Sequence, residues 1–536
     1  MIRLDHVTFT FAGAAQPALQ DVNLMVGPGE LALVIGPTGA GKTTLLRTVN
    51  GLVPHFSGGR LEGHVSVGGL DLRTHPPRAL AGLVGYVGQD PLAGFVADSV
   101  EEELAYGMEQ CGLDPAVMRT RVEEVLDLLG LADLRQRDLL TLSAGQAQRV
   151  AMGAALALHP KVLVLDEPTS ALDPAAAEEV MAAIGRLVQD FDMAVLMAEH
   201  RLERVVQFAD QVIALTPQGR VTGGPPRTIL AQAPVVPPVV ALGRALGWDK
   251  VPLTVREARR QVADLGLPVE PVAPGTEATP AAPATPAAGN EPASVLLSAR
   301  GVRVEYPGVV AVDGVDVDLL GGIIYGLMGR NGSGKSSLLW ALHGAGPKAA
   351  GTVTGPGPGH PVVALVPSQP TDLLWEDTVA REIAGTGAAA VLDRIAPGLP
   401  RQAHPRDLSE GQRLALALAI QLAPVPSAAP PQPRVIALDE PTRGLDYEAK
   451  ARLVAVLKDL AAQGNAIVVA SHDVEFLAAV ADQVAWMAEG QVILHGPTID
   501  VLTSVPAHAP QITKVFAPRP VHTVEQAVQW LQGAKA

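Results

Sequence analysis

Two copies of one short motif constrain this chain more than any other feature. Gly36-Pro37-Thr38-Gly39-Ala40-Gly41-Lys42-Thr43 returns as Gly329-Arg330-Asn331-Gly332-Ser333-Gly334-Lys335-Ser336, and both match G-x-x-x-x-G-K-[ST]. Other segments repeat around them in the same order. Leu142-Ser143-Ala144-Gly145-Gln146 recurs as Leu408-Ser409-Glu410-Gly411-Gln412, and VLVLDEP, from Val162, recurs as VIALDEP, from Val435. Asp210-Gln211-Val212 and Asp482-Gln483-Val484 each open a strand near the end of their unit. An ordered recurrence of this kind is a tandem duplication, and it fixes the domain count.

At about 150 residues per domain, 536 residues allow three or four compact units, which the duplication reduces to two. Short β-rich runs at 31–35, 162–165 and 194–197 alternate with helical stretches, which predicts an α/β fold with a mostly parallel sheet in each unit. The divisions expected are a first domain over 1–235, a helical extension over 236–267, a linker over 268–294, a second domain over 295–505 and a terminal extension over 506–536. The linker is dominated by Pro, Ala, Thr and Glu, a composition that buries little surface.

Composition then excludes several classes. Hydrophobic residues make up 48% of the chain, yet the longest apolar stretch, 414–423, is interrupted by Gln421 and followed by Pro424, short of the roughly 20 residues a bilayer requires. The first residues carry Asp5 and alternate in polarity, unlike a secretory signal, so a cytosolic chain is expected. Its single cysteine, Cys111, cannot build a disulfide framework or a cysteine-based metal cluster. The net charge of −15, without a basic cluster, opposes nucleic acid binding.

The repeated motifs carry phosphate chemistry. Glycines in the loop let backbone N–H groups turn toward phosphate oxygens, and the helix N-terminus adds partial positive charge. Lys42 and Lys335 reach the β and γ phosphates, Thr43 and Ser336 are Mg²⁺ ligands, and Thr44 and Ser337 continue each loop into its helix. Asp166 and Asp439 end apolar strands at the carboxyl edge of the sheet, where each can join the Mg²⁺ shell. Glu167 and Glu440 stand where a carboxylate accepts a proton from the water attacking a γ-phosphate. Glu101, Glu102 and Glu103 read as a solvated helix face.

With these motifs in place the chain resembles ATP-binding cassette (ABC) ATPases, LSAGQ and LSEGQ looking like the family's signature. The resemblance implies two P-loop domains, each a mostly parallel sheet core with a helical subdomain. It also implies ATP and Mg²⁺ ligands at Gln89 and Gln369, and switch histidines at His200 and His472. Phe11 and Tyr306 stand where the family stacks an aromatic on adenine, and Ser170-Ala171-Leu172-Asp173 and Arg443-Gly444-Leu445-Asp446 resemble the loop that crosses between paired cassettes. Paired head to tail, the two cassettes of one chain would complete each other. Ser409, Gly411 and Gln412 would serve the site built on Lys42, and Ser143, Gly145 and Gln146 the site built on Lys335. Ala144 and Glu410 replace the usual middle glycine, and Glu410 brings negative charge toward a γ-phosphate. Retention of both glutamates implies two hydrolytic sites.

The segment after Gln89, from Asp90 to Gly107, looks like the coupling segment of energy-coupling factor ATPases, which serve vitamin and cobalt or nickel importers. Asn50 to Gly59 adds to the likeness, as do the similar helix starts at Thr254-Val255 and Thr523-Val524. The second unit keeps a Thr-Val-x-x-Glu element from Thr378, although Gly329 lies 40 residues before Gln369 where Gly36 lies 53 before Gln89. The resemblance implies a peripheral subunit at the cytoplasmic membrane face, working with a transmembrane coupling subunit and a small substrate-binding membrane subunit on separate chains. Alternatives are a fused ATPase of a sugar or peptide importer, and a soluble ABC translation factor acting on ribosomes. Trp375 reads either as core or as part of a partner-facing patch.

Overall fold

The computed structural model describes residues 1–170, 172–265, 294–355, 363–424 and 433–533. The expected linker at 268–294 lies outside the described residues except for Ser294, as does Ala171. Two compact units divide the chain, Met1–Leu253 and Thr254–Ala536.

In the first unit a six-stranded sheet runs in the spatial order Val221–Gly224, Gln211–Leu215, Leu31–Ile35, Ala194–Ala198, Val162–Asp166 and Val84–Val87. All neighbours pair in parallel except the edge strand Val221–Gly224, which is antiparallel. A second, antiparallel sheet orders Leu19–Val26, Ile2–Thr10, Arg60–Val67 and Leu70–Asp71. The second unit repeats both. Val363–Val366, Val435–Asp439, Ala466–Ala470, Ile324–Met328, Gln483–Ala488 and Gln491–Pro497 form the large sheet, with Ala350–Thr354, Val295–Tyr306 and Val309–Leu320 in the small one. The strands expected at 31–35, 162–165 and 194–197 are present, and the α/β class with two P-loop units is as the sequence predicts.

Continuous apolar runs form these strands because both faces of a parallel sheet are buried. Alternate residues feed different cores. Tyr325 and Leu327 join the cluster under the small sheet, whereas Ile324 and Met328 face the helices on the other side. Val435 and Ala437 divide from Ile436 and Leu438 in the same way. Each fully buried Ile, Leu or Val contributes about 1.5–3 kcal/mol relative to exposure, so a charge at Leu438 or Val164 would break its sheet. The high apolar fraction is thus spent inside, and among the described residues no helix is long and apolar enough to cross a membrane.

Asp166 pairs in register with Ala198, and Asp439 with Ala470, so both acids reach the same carboxyl edge as the phosphate loops. The division between units falls within the stretch 236–267. Helix Pro238–Ala245 belongs to the first unit, while helix Val255–Asp264, N-capped by the Thr254 hydroxyl on Glu257 N at 3.1 Å, packs against Gln511–Phe516 of the second.

Candidate functional site

Each phosphate loop joins a central strand to a helix, Leu31–Ile35 to Lys42–Val49 and Ile324–Met328 to Lys335–His343. The residue before each lysine must be glycine. Gly41 has φ 99° and Gly334 φ 100°, and a Cβ there would stand 2.7 Å from the Ala18 carbonyl oxygen or 2.1 Å from that of Ala311. Each lysine closes its own loop. Lys42 Nζ donates to the carbonyls of Gly36 at 2.9 Å and Pro37 at 3.1 Å, and Lys335 Nζ to those of Gly329 at 2.8 Å and Arg330 at 3.0 Å. The ammonium groups are buried inside the cradle they would share with phosphate. Thr38, Gly39 and Ala40 form the tip of the first loop; Asn331, Gly332 and Ser333 form that of the second, where Ser333 N donates to the Arg330 carbonyl at 3.1 Å. Thr44 and Ser337 lie in the first turn of their helices.

The acids gather beside the loops. Asp166 is pushed up to about pKa 6, first by burial and then by the adjacent Glu167, against the Thr43 hydrogen bond and the charges of Lys42 and Arg47. Asp439 also rises to about 6 through burial, with Glu440 adding and the Ser336 hydrogen bond and Lys335 opposing. Hydroxyl, carboxylate and amide oxygens of this kind are what a hard cation such as Mg²⁺ takes.

Glu167 and Glu440 adopt left-handed backbone, φ 54° and 51°, which side-chain-bearing residues rarely do. Their amides are pinned by neighbouring strands, Glu167 N to the Ala198 carbonyl at 2.9 Å and Glu440 N to that of Ala470 at 2.8 Å. Each carboxylate faces a histidine: Glu167 Oε1 lies 3.0 Å from His200 Nε2, and Glu440 Oε2 lies 2.8 Å from His472 Nδ1. Burial alone would raise Glu167, but the charge and hydrogen bond of His200, with Lys42 and Gln89, hold it below the ordinary carboxylate range. Gln89 thus bonds Glu167, whereas Gln369 is exposed on its loop.

The signature serines start helices. Ser143 and Gln146 bond each other's backbone N–H at 3.3 and 3.0 Å, and Ser409 and Gln412 do the same at the same distances. Gly145 and Gly411 occupy the first turn of these helices. The charge of Glu410 is paired within its own unit, 2.5 Å from Arg443 Nε. Asp173 and Asp446 cap the next helices, accepting from Ala176 N at 2.9 Å and Ala449 N at 2.7 Å. Phe11 and Tyr306 are 39% and 42% exposed, so their rings are open to a ligand.

Two buried acids escape sequence reasoning, one of them beside the Glu167–His200 pair. Glu199, 1% exposed, accepts from Thr169 N and Oγ1 at 2.7 Å each and from His200 N at 3.1 Å; its counterpart Ser471 instead donates to Glu440 Oε2 at 3.1 Å. An acid directly after the five apolar residues 194–198 was the available signal. The other is Glu103. It is 6% exposed and accepts from the amides of Val96 and Ala97, which corrects its assignment to a solvated face.

The raised Asp166 and Asp439 have a measurable consequence. A rise from the ordinary 3.8 to about 6 corresponds to about 3 kcal/mol of folded-state penalty on each ionised form. The penalty is absent below about pH 4, grows as pH rises to about 6 and is complete above it. Asp166→Asn is therefore expected to raise the melting temperature of the nucleotide-free chain at pH 7.5. An unchanged or lowered Tm would remove the desolvation argument.

Comparison with known proteins agrees with this geometry. The family model described as ABC transporter matches residues 19–170 and 312–443, spanning both phosphate loops and both buried acids. A Streptomyces coelicolor protein named as an ABC transporter ATP-binding protein is 50% identical over 98% of this chain and 99% of its own length. One from Methanosarcina mazei with the same description is 30% identical over 94% of this chain and 90% of its own. Among solved structures, a model of ribosome-bound archaeal Pelota and ABCE1 contains a chain that matches with TM-score 0.63 at 21% identity, over 94% of this chain and 80% of that one, a likeness of fold alone. With two family matches, each centred on a complete phosphate loop and its acidic pair, the chain belongs to the ABC transporter family as an ATP-binding protein with two cassettes in tandem.

Proposed function

We propose that the chain is the ATP-hydrolysing subunit of a membrane importer of the energy-coupling factor kind, carrying a vitamin, a vitamin precursor or a transition-metal ion. ATP supplies the phosphoryl bond whose hydrolysis drives the cycle; Thr43, Asp166 and Gln89 would hold Mg²⁺ in one site and Ser336 and Asp439 in the other, where the exposed Gln369 would have to turn inward to join them. Glu167 and Glu440 take the proton of the attacking water, and His200 and His472 hold these bases in place. The load lies on other chains at the cytoplasmic membrane face, a transmembrane coupling subunit and a small substrate-binding membrane subunit.

One observation carries the transport reading. Directly after each glutamine, large apolar side chains stand in solvent: Leu92 is 44% exposed, Val96 63% and Trp375 84%. Exposed apolar groups next to a nucleotide-sensing loop fit a surface that a partner covers. Trp375 is thus surface, not core. Purified from detergent-solubilised membranes, the chain is expected to bring down small apolar membrane proteins, and Leu92→Asp plus Val96→Asp plus Trp375→Asp to lose them. Ribosomal proteins in their place, or recovery unchanged by the substitutions, would overturn the reading.

A further inference from the structure

The partner-facing segments of the two units differ in sequence, yet one buried device recurs beneath both. Glu103 Oε2 accepts from Val96 N and Ala97 N, each at 2.9 Å. Glu382 Oε2 accepts from Trp375 N at 3.0 Å and Glu376 N at 2.7 Å. The offsets are identical, seven and six residues back along the chain. Both acids sit in the first turn of a helix capped by a hydroxyl residue four positions earlier, Ser99 or Thr378. The braced residue follows Gln89 by seven positions and Gln369 by six, although the chain before Gln369 is shortened. Recognition of main-chain N–H groups survives the change of side chains from Val-Ala to Trp-Glu.

The same helices are tied to the turns that precede the signatures. Val100 N and Glu101 N donate to the carbonyls of Arg137 and Arg135 at 3.2 and 3.0 Å. Val379 N and Ala380 N donate to those of Ala403 and Arg401 at 3.1 and 2.8 Å. Arg137 and Ala403 each precede their signature serine, Ser143 or Ser409, by six residues. The exposed segment, the carboxylate, the helix start and the turn that leads toward the signature form one hydrogen-bonded unit in each cassette.

We propose that Glu103 and Glu382 are positioning residues that make the partner-facing segment and the signature move as one body. The inference rests on the reading that a membrane subunit docks on that segment. Without the brace, a load on Val96 or Trp375 would deform the segment and leave the signature in place.

The test uses the full chain, alone and with its co-purified membrane subunits, as Glu103→Ala plus Glu382→Ala and as Glu103→Gln plus Glu382→Gln. In the alanine variant, hydrogen exchange at the amides of Val96, Ala97, Trp375 and Glu376 is expected to quicken about tenfold. Basal Mg-ATPase of the isolated chain should stay within about twofold, while its stimulation by the membrane subunits falls about tenfold. Glutamine keeps an acceptor oxygen and is expected to restore most of both. Unchanged amide exchange would overturn the brace itself, whatever the partner. Faster exchange with intact stimulation would overturn its coupling role, as would loss of basal activity in both variants. If the unsubstituted chain recovers no membrane subunit, the transport reading fails and the coupling role falls with it, while the exchange data still report on the brace.

Discussion

With Glu167→Gln and Glu440→Gln combined, steady-state Mg-ATPase is expected to fall by about 10²–10⁴-fold while ATP remains bound. Glutamine matches glutamate in shape and meets the same left-handed backbone, so the fold is not asked to change. What disappears is the acceptor for the proton of the attacking water. The approach of His200 to Oε1 at 3.0 Å can persist as an ordinary hydrogen bond. Phosphate release and retained nucleotide after gel filtration are the two readouts. Activity above about a tenth of the starting value would place the base elsewhere, since general-base loss at a positioned carboxylate exceeds that. The single variants then apportion turnover between sites whose surroundings differ at Glu199 and Ser471.

Lys42→Met is expected to remove one of two nucleotide sites, and Lys335→Met the other. Each ammonium is buried and holds two loop carbonyls, so its loss removes both the charge that meets phosphate and the tie that shapes the cradle. Truncating one member of a buried charged pair costs about 2–5 kcal/mol, or roughly 30- to 4,000-fold in affinity. Isothermal titration with Mg-ATP on the glutamine background, where turnover is suppressed, should show stoichiometry falling from two to one for either single variant. Two sites of unchanged affinity would contradict the assignment of these lysines.

Much of this was legible because it is locally encoded. A glycine loop between an apolar strand and a helix, or an apolar strand ending in Asp-Glu, needs only neighbouring residues to specify it, and 31–43, 162–167 and their repeats fold as read. What escaped depends on partners the sequence does not mark. Glu103 looks like Glu101 and Glu102, but it turns toward the bare amides of Val96 and Ala97, groups every residue carries. Glu199 is likewise held by the backbone and hydroxyl of Thr169, thirty residues away. Helix Val255–Asp264 follows the first unit in sequence but packs on Gln511–Phe516, a choice of surface that amphipathic pattern alone does not make.

The left-handed glutamates have a further consequence for how such a chain can change. At positions 167 and 440 the backbone suits glycine or asparagine better than glutamate, so selection for thermal stability and selection for turnover pull in opposite directions. A library of this chain screened only for heat resistance would drift toward loss of the proposed base at either position. Because the site occurs twice, it would pass through a half-active form before losing activity altogether.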